Sequence, residues 1–203
     1  MKSFFNNKPN AHNKTIVILG AARSGTSIVS SILHHSGVYM GDFGNSHQYE
    51  DTQLNYSDWE GKIEEEKIRN FRKIIRERNE NYKIWGWKDI NTIWYLKKIL
   101  PLLINPVFIF TSRSPLHIGY SSYVKDKNHH EVPDNYRFLS FRSAVRQVSK
   151  HLESLNPNRP IAVLDFNELQ NKIVTKPLLN WLGIDYNKKC DDAIGESYTE
   201  QFF

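Results

Sequence analysis

Cysteine is almost absent: Cys190 is the one thiol in 203 residues. A single thiol excludes an internal disulfide framework and any Cys-rich zinc site. It fits a reducing, cytoplasmic setting. Long apolar runs are missing too. None approaches the roughly 20 residues that a membrane helix needs, and the greasiest stretch, 99–110, is interrupted by Pro101 and Pro106. No membrane span is therefore expected. The polar, Asn-rich stretch 1–14 has no apolar core and does not read as a signal peptide. It is expected to be a disordered lead into one domain over 15–203, long enough to fold without disulfides or structural metal. Gly/Ser linkers, internal repeats and low-complexity tracts are absent. So is metal-ligand spacing, because His34–His35 and His129–His130 are adjacent pairs whose side chains diverge on a helix.

What is present is positive charge, a formal +5 with a pI near 9.2. Such a balance favours acidic ligands, whether nucleotide cofactors, sulfated sugars, nucleic acid or an anionic surface, or it serves solubility alone. No nucleic-acid-binding motif is present, so nucleic acid is not an expected partner.

Short apolar runs alternate with helical patterns. Strands are expected at 15–19 (TIVIL), 83–87, 106–111 (PVFIFT) and 161–165 (IAVLD). Helices are expected at 26–35, 60–80, 91–103, 115–124, 138–155 and 176–182, the last stopped by Gly183. Between 124 and 138 a polar loop carries His129 and His130. This order predicts an α/β fold, three-layered and P-loop-like, with a central, mainly parallel sheet flanked by helices. Ligands of such sheets bind at the carboxyl ends of the strands.

One of those ends is a glycine loop, Gly20-Ala21-Ala22-Arg23-Ser24-Gly25-Thr26-Ser27. A strand, two glycines and a helix start make an anion seat, because free N–H groups and the helix dipole point at it. Arg23 adds a planar cation, and Ser24, Thr26 and Ser27 add hydroxyls. The NTPase loop would place Lys after the second glycine. Here that residue is Thr26 and the cation precedes Gly25, which argues against ordinary ATP or GTP hydrolysis. A second strand end carries Arg113, with Ser121 eight residues on. By itself that pair is as well read as a solvated arginine.

Together the two motifs resemble the PAPS-dependent sulfotransferases (PAPS is 3′-phosphoadenosine 5′-phosphosulfate), in their bacterial or carbohydrate-type branch. GAARSGTS is similar to that family's 5′-phosphosulfate loop, a Lys or Arg followed by Ser-Gly-Thr and Ser or Thr. FIFTSRSPLHIGYSSY resembles its 3′-phosphate motif. WGWKDINT and IAVLDFNELQ resemble its middle and late segments, and the likeness runs in order over 14–184. The resemblance implies that Arg23, Ser24, Gly25, Thr26 and Ser27 hold the 5′-phosphosulfate and that Arg113 and Ser121 hold the 3′-phosphate. It places Lys88 beside the transferring sulfuryl group and Phe166 near the adenine. The implied reaction is in-line transfer to a hydroxyl or amine of a small-molecule or carbohydrate acceptor, releasing PAP. Ile90 stands where the small-molecule branch has its catalytic histidine, and no basic segment occurs in 195–203.

The general base is therefore open. Glu50 leads, His47 follows, and Asp51 and Asp89 come after them. Carbohydrate-type members often carry a glutamate in this region, although an acid at a helix start has a plainer role. Trp59, Trp85, Trp87 and Trp94 offer rings to an acceptor, against the plainer reading that most are core. Two other functions remain open from sequence: a P-loop nucleotide phosphotransferase and a non-catalytic PAP-binding protein.

Overall fold

In the computed structural model the described residues are 2–10, 12–44, 49–56, 63–133 and 135–192. They form a five-stranded sheet in the order β1-β5-β4-β2-β3. The strands are β1 (Phe4–Asn6), β2 (Lys14–Leu19), β3 (Ile84–Lys88), β4 (Val107–Ser112) and β5 (Ile161–Asp165). All neighbours pair in parallel except β1, which runs antiparallel to β5.

The α-helices are α1 (Thr26–His35), α2 (Glu65–Asn81), α3 (Leu96–Ile99), α4 (Pro115–His129), α5 (Tyr136–Ser154), α6 (Phe166–Gln170) and α7 (Thr175–Leu182). Central parallel strands are covered on both faces and so read as unbroken apolar runs. β2 is an instance, with every residue buried. Its side chains alternate between two cores. Ile16 and Ile18 join Ile32, Ile109, Leu164 and Leu178. Val17 and Leu19 join Phe71, Trp85, Trp87 and Phe110. No helix among the described residues is long and apolar enough to cross a membrane.

Three expectations are corrected. The stretch 1–14 is not simply a disordered lead, because Phe4–Asn6 pair with Ile161–Val163 and Phe5 packs on Trp181 at 5.4 Å. β5 would otherwise present an unpaired edge, which a three-residue strand covers. The helix expected over 91–103 is fragmented into two 3₁₀ turns around α3. Pro101 interrupts the hydrogen-bond ladder in the second turn. α4 continues through His129, so the loop before α5 is shorter than expected.

The chain passes from β2 through α1 to β3 on one side, then returns to β4 on the other. β2 is thus a topological switch point, where the loops after neighbouring strands part and leave a crevice. Ile18 lies beside Lys88 and Leu19 beside Phe110, so β2 and β3 end within a residue of each other and β4 runs two residues further, to Ser112.

Candidate active site

The loop after β2 depends on unusual backbone at three residues. Gly20 has φ +151°, and a Cβ there would fall 2.3 Å from Thr111 Oγ1. Gly25, at the N-cap of α1, has φ +99°, and a Cβ would meet Phe166 Cδ2 at 3.0 Å. Arg23 adopts φ +67° without being glycine. Such a residue carries a strain that tertiary contacts must hold.

Ser24 supplies part of that hold. It is fully buried, its hydroxyl donates to Ala21 O at 2.6 Å, and it meets Thr111 Oγ1 at 2.7 Å. The Ser24 hydroxyl is thereby held as a strut inside the loop. Arg23, Gly25, Thr26 and Ser27 line a cleft of about 1070 Å³.

The second motif interlocks with the first. Arg23 Nε donates to Ser121 Oγ at 3.0 Å, and Arg113 Nη1 donates to the Arg23 carbonyl at 2.9 Å. The Arg113 guanidinium lies 4.0 Å from the centre of the Phe166 ring. Phe166 opens α6, whose start is capped by Asp165 through the N–H groups of Asn167 and Glu168. Arg113, Ser121 and Phe166 line the same cleft as the glycine loop.

Lys88 completes the arrangement from the last position of β3. Its Nζ lies 2.7 Å from Glu50 Oε1 and donates to Ser27 Oγ at 3.2 Å. Burial pulls the Lys88 pKa down, against the opposing pull of Glu50 and Asp89. Lys88 and Glu50 both line the cleft. His47 lies outside the described residues.

The remaining acid candidates are committed elsewhere. Asp51 is fully buried in a bidentate pair with Arg78, and its carboxyl packs where a Cβ on Gly41 would sit. Asp89 is also buried. It accepts the N–H groups of Asn91 at 2.9 Å and Tyr56 at 3.2 Å, and burial pushes its pKa up to about 7. Trp85 and Trp87 are core, Trp94 is half-buried beneath Lys150, and Trp59 lies outside the described residues.

Sequence reasoning missed the far wall. α5 contributes Ser140, Ser143, Ala144 and Gln147 to the cleft. Gln147 Oε1 accepts the Ala22 N–H at 3.2 Å, so α5 holds the glycine loop directly. The available signal was the run of small and polar residues at helical spacing along one side of α5. A second groove, of about 680 Å³, lies between His34, Tyr39, Phe43 and Tyr82, and none of the expected site residues line it.

Solved sulfotransferases have this fold. The sulfotransferase domain from the curacin biosynthetic pathway matches with a TM-score of 0.59 at 15% identity, over 88% of this chain and 76% of that one. The sulfotransferase domain from the Synechococcus PCC 7002 olefin synthase matches at 0.54 and 17% identity, over 96% and 81%. Sulfotransferase STF1 from Mycobacterium tuberculosis H37Rv matches at 0.53 and 9%, over 91% and 71%. At these identities the likeness is one of fold, and the chain has a sulfotransferase fold. No family model and no curated protein matches the sequence.

Proposed function

We propose that the protein is a PAPS-dependent sulfotransferase, moving a sulfuryl group onto the hydroxyl or amine of a small-molecule or carbohydrate acceptor and releasing PAP. One observation carries the reading. Cations from three neighbouring strand ends, Arg23 after β2, Lys88 at the end of β3 and Arg113 after β4, line one cleft, with Glu50 on Lys88.

In this reading the loop N–H groups, Arg23, Thr26 and Ser27 hold the 5′-phosphosulfate. Arg113 and Ser121 hold the 3′-phosphate, and the Phe166 ring lies near the adenine. Glu50 takes the proton of the acceptor as the new O–S or N–S bond forms. The S–O bond to the donor's 5′-phosphate breaks, and its electron pair stays on that phosphate. Sulfuryl transfer resembles phosphoryl transfer in having little covalent work for the protein to do, so positioning and charge stabilisation dominate. Arg23 and Lys88 meet the charge on the leaving phosphate. Lys88, held between Ser27 and Glu50, links the donor side to the base. The proposed step calls for no metal ion.

A thermal-shift comparison of PAP, PAPS, AMP, ATP and GTP without added metal tests the reading. PAP and PAPS should raise Tm more than AMP, because only they carry the 3′-phosphate that Arg113 and Ser121 would hold. Equal shifts from PAP and AMP would overturn it.

A further inference from the structure

The cleft is also lined by an imidazole to which the motif reading gives no role. His117 lies in the first turn of α4, four residues after Arg113 and four before Ser121. Residues four apart on a helix share a face, with Cβ atoms about 5–6 Å apart. His117 and Ser121 therefore stand one above the other, and Arg113 enters just ahead of them. All three line the cleft. His117 is exposed there, so its ring is open to a ligand.

The charge balance gives that ring a task. A phosphomonoester carries about −1.5 to −2 charges at neutral pH and three strong acceptor oxygens. The two groups assigned to it are already partly engaged. Ser121 accepts from Arg23, and Arg113 holds the Arg23 carbonyl and stacks on Phe166. Ser121 brings no charge. A third donor on the Arg113–Ser121 side would complete the seat; His117 is the nitrogen-bearing side chain between the two, and Lys125 lines the cleft a turn beyond Ser121.

We infer that His117 is a further donor-binding residue, its ring N–H completing with Arg113 and Ser121 the seat of the donor's 3′-phosphate. The inference rests on the PAPS reading of the cleft. It assigns His117 to recognition of the 3′-phosphate and to no part of the transfer step.

Calorimetric affinities for PAP and AMP test it in the wild type, His117→Ala and His117→Gln. His117→Ala should weaken PAP by roughly ten- to a hundredfold, the span of a hydrogen bond to a charged group, and leave AMP unchanged. His117→Gln, which keeps an N–H donor, should recover part of the loss. His117 is exposed, so the apo melting temperature should stay near wild type and separate binding from folding. A wild-type preference for PAP that survives intact in His117→Ala would overturn the His117 assignment alone. An equal loss for PAP and AMP would also overturn it, placing His117 on the common part of the nucleotide. No wild-type preference for PAP over AMP would remove the donor reading itself, and His117's role with it.

Discussion

Lys88 Nζ meets Glu50 Oε1 at 2.7 Å, and the two side chains differ sharply in exposure, 3% against 29%. A lysine almost out of water thus holds a carboxylate that still reaches the cleft. The pairing joins residues 38 positions apart. It gives Glu50 a fixed place without burying it, as the proposed role of general base would require.

Glu50→Gln preserves shape and removes basicity. Turnover should fall by about 10²–10⁴, the usual span for acid–base catalysis, while PAP affinity stays near wild type. Steady-state rates beside PAP titrations check this. Wild-type turnover in Glu50→Gln together with an inactive His47→Ala would move the base to His47.

The two arginines should separate by kinetic signature. On the proposed reading Arg23→Ala removes a preorganised cation at the leaving phosphate and should lower turnover by roughly 10²-fold or more. Arg113→Ala should act mainly on donor affinity, at about 2 kcal/mol for a lost charged partner. Unchanged PAPS affinity in Arg113→Ala would show that the second motif is misread.

Gly25→Ala and Gly37→Ala form a matched pair. Both glycines have positive φ, +99° and +85°, but a Cβ meets Phe166 at 3.0 Å only at Gly25, while nothing lies within 4 Å at Gly37. Backbone strain of this kind costs on the order of 1–3 kcal/mol. Urea denaturation should show both variants destabilised and Gly25→Ala more so. PAP binding should suffer only in Gly25→Ala. Equal behaviour would mean that the packing of Phe166 on the loop contributes nothing.

Two buried groups should give opposite pH dependences of stability. Burial lowers the His151 pKa from 6.5 to about 4. Between those values the unfolded chain takes up a proton that the folded chain refuses, so stability present above pH 6.5 is lost as pH falls towards 4. Asp89 is raised from 3.8 to about 7. Its folded form keeps a proton that the unfolded chain releases, so its contribution is present below pH 3.8 and lost as pH rises through 7. Between about pH 4 and 6.5 the two oppose each other, each by at most about 1.4 kcal/mol per pH unit. Asp89→Asn should leave a Tm that rises more steeply with pH across that window, and His151→Gln one that falls. Tm–pH curves parallel to wild type would refute both assignments.

The sequence by itself determined the alternation of strands and helices, because an apolar run four to six residues long bounded by glycine or proline has few other uses. It made the glycine loop at 20–27 legible as well, since glycines, a cation and hydroxyls at a strand–helix junction are local features. Its limits were the non-local ones. That Phe4–Asn6 would cover the edge of β5 depends on contacts across more than 150 residues, and the polar composition of 1–14 carries no trace of them. Glu50, Asp51 and Asp89 are all acids near one strand end, and the order of preference, Glu50 and then Asp51 and Asp89, rests on the family resemblance rather than on any local pattern. Their different surroundings come only from the tertiary structure, which pairs Asp51 with Arg78, buries Asp89 and sets Glu50 on Lys88 at the cleft. The same holds for the Ser24 hydroxyl, whose contacts with Ala21 O and Thr111 Oγ1 no local pattern announces. Spacing along the chain sets which residues share a loop or a helix face. Which of their polar atoms remain free to meet a ligand depends on neighbours that only the folded chain brings near.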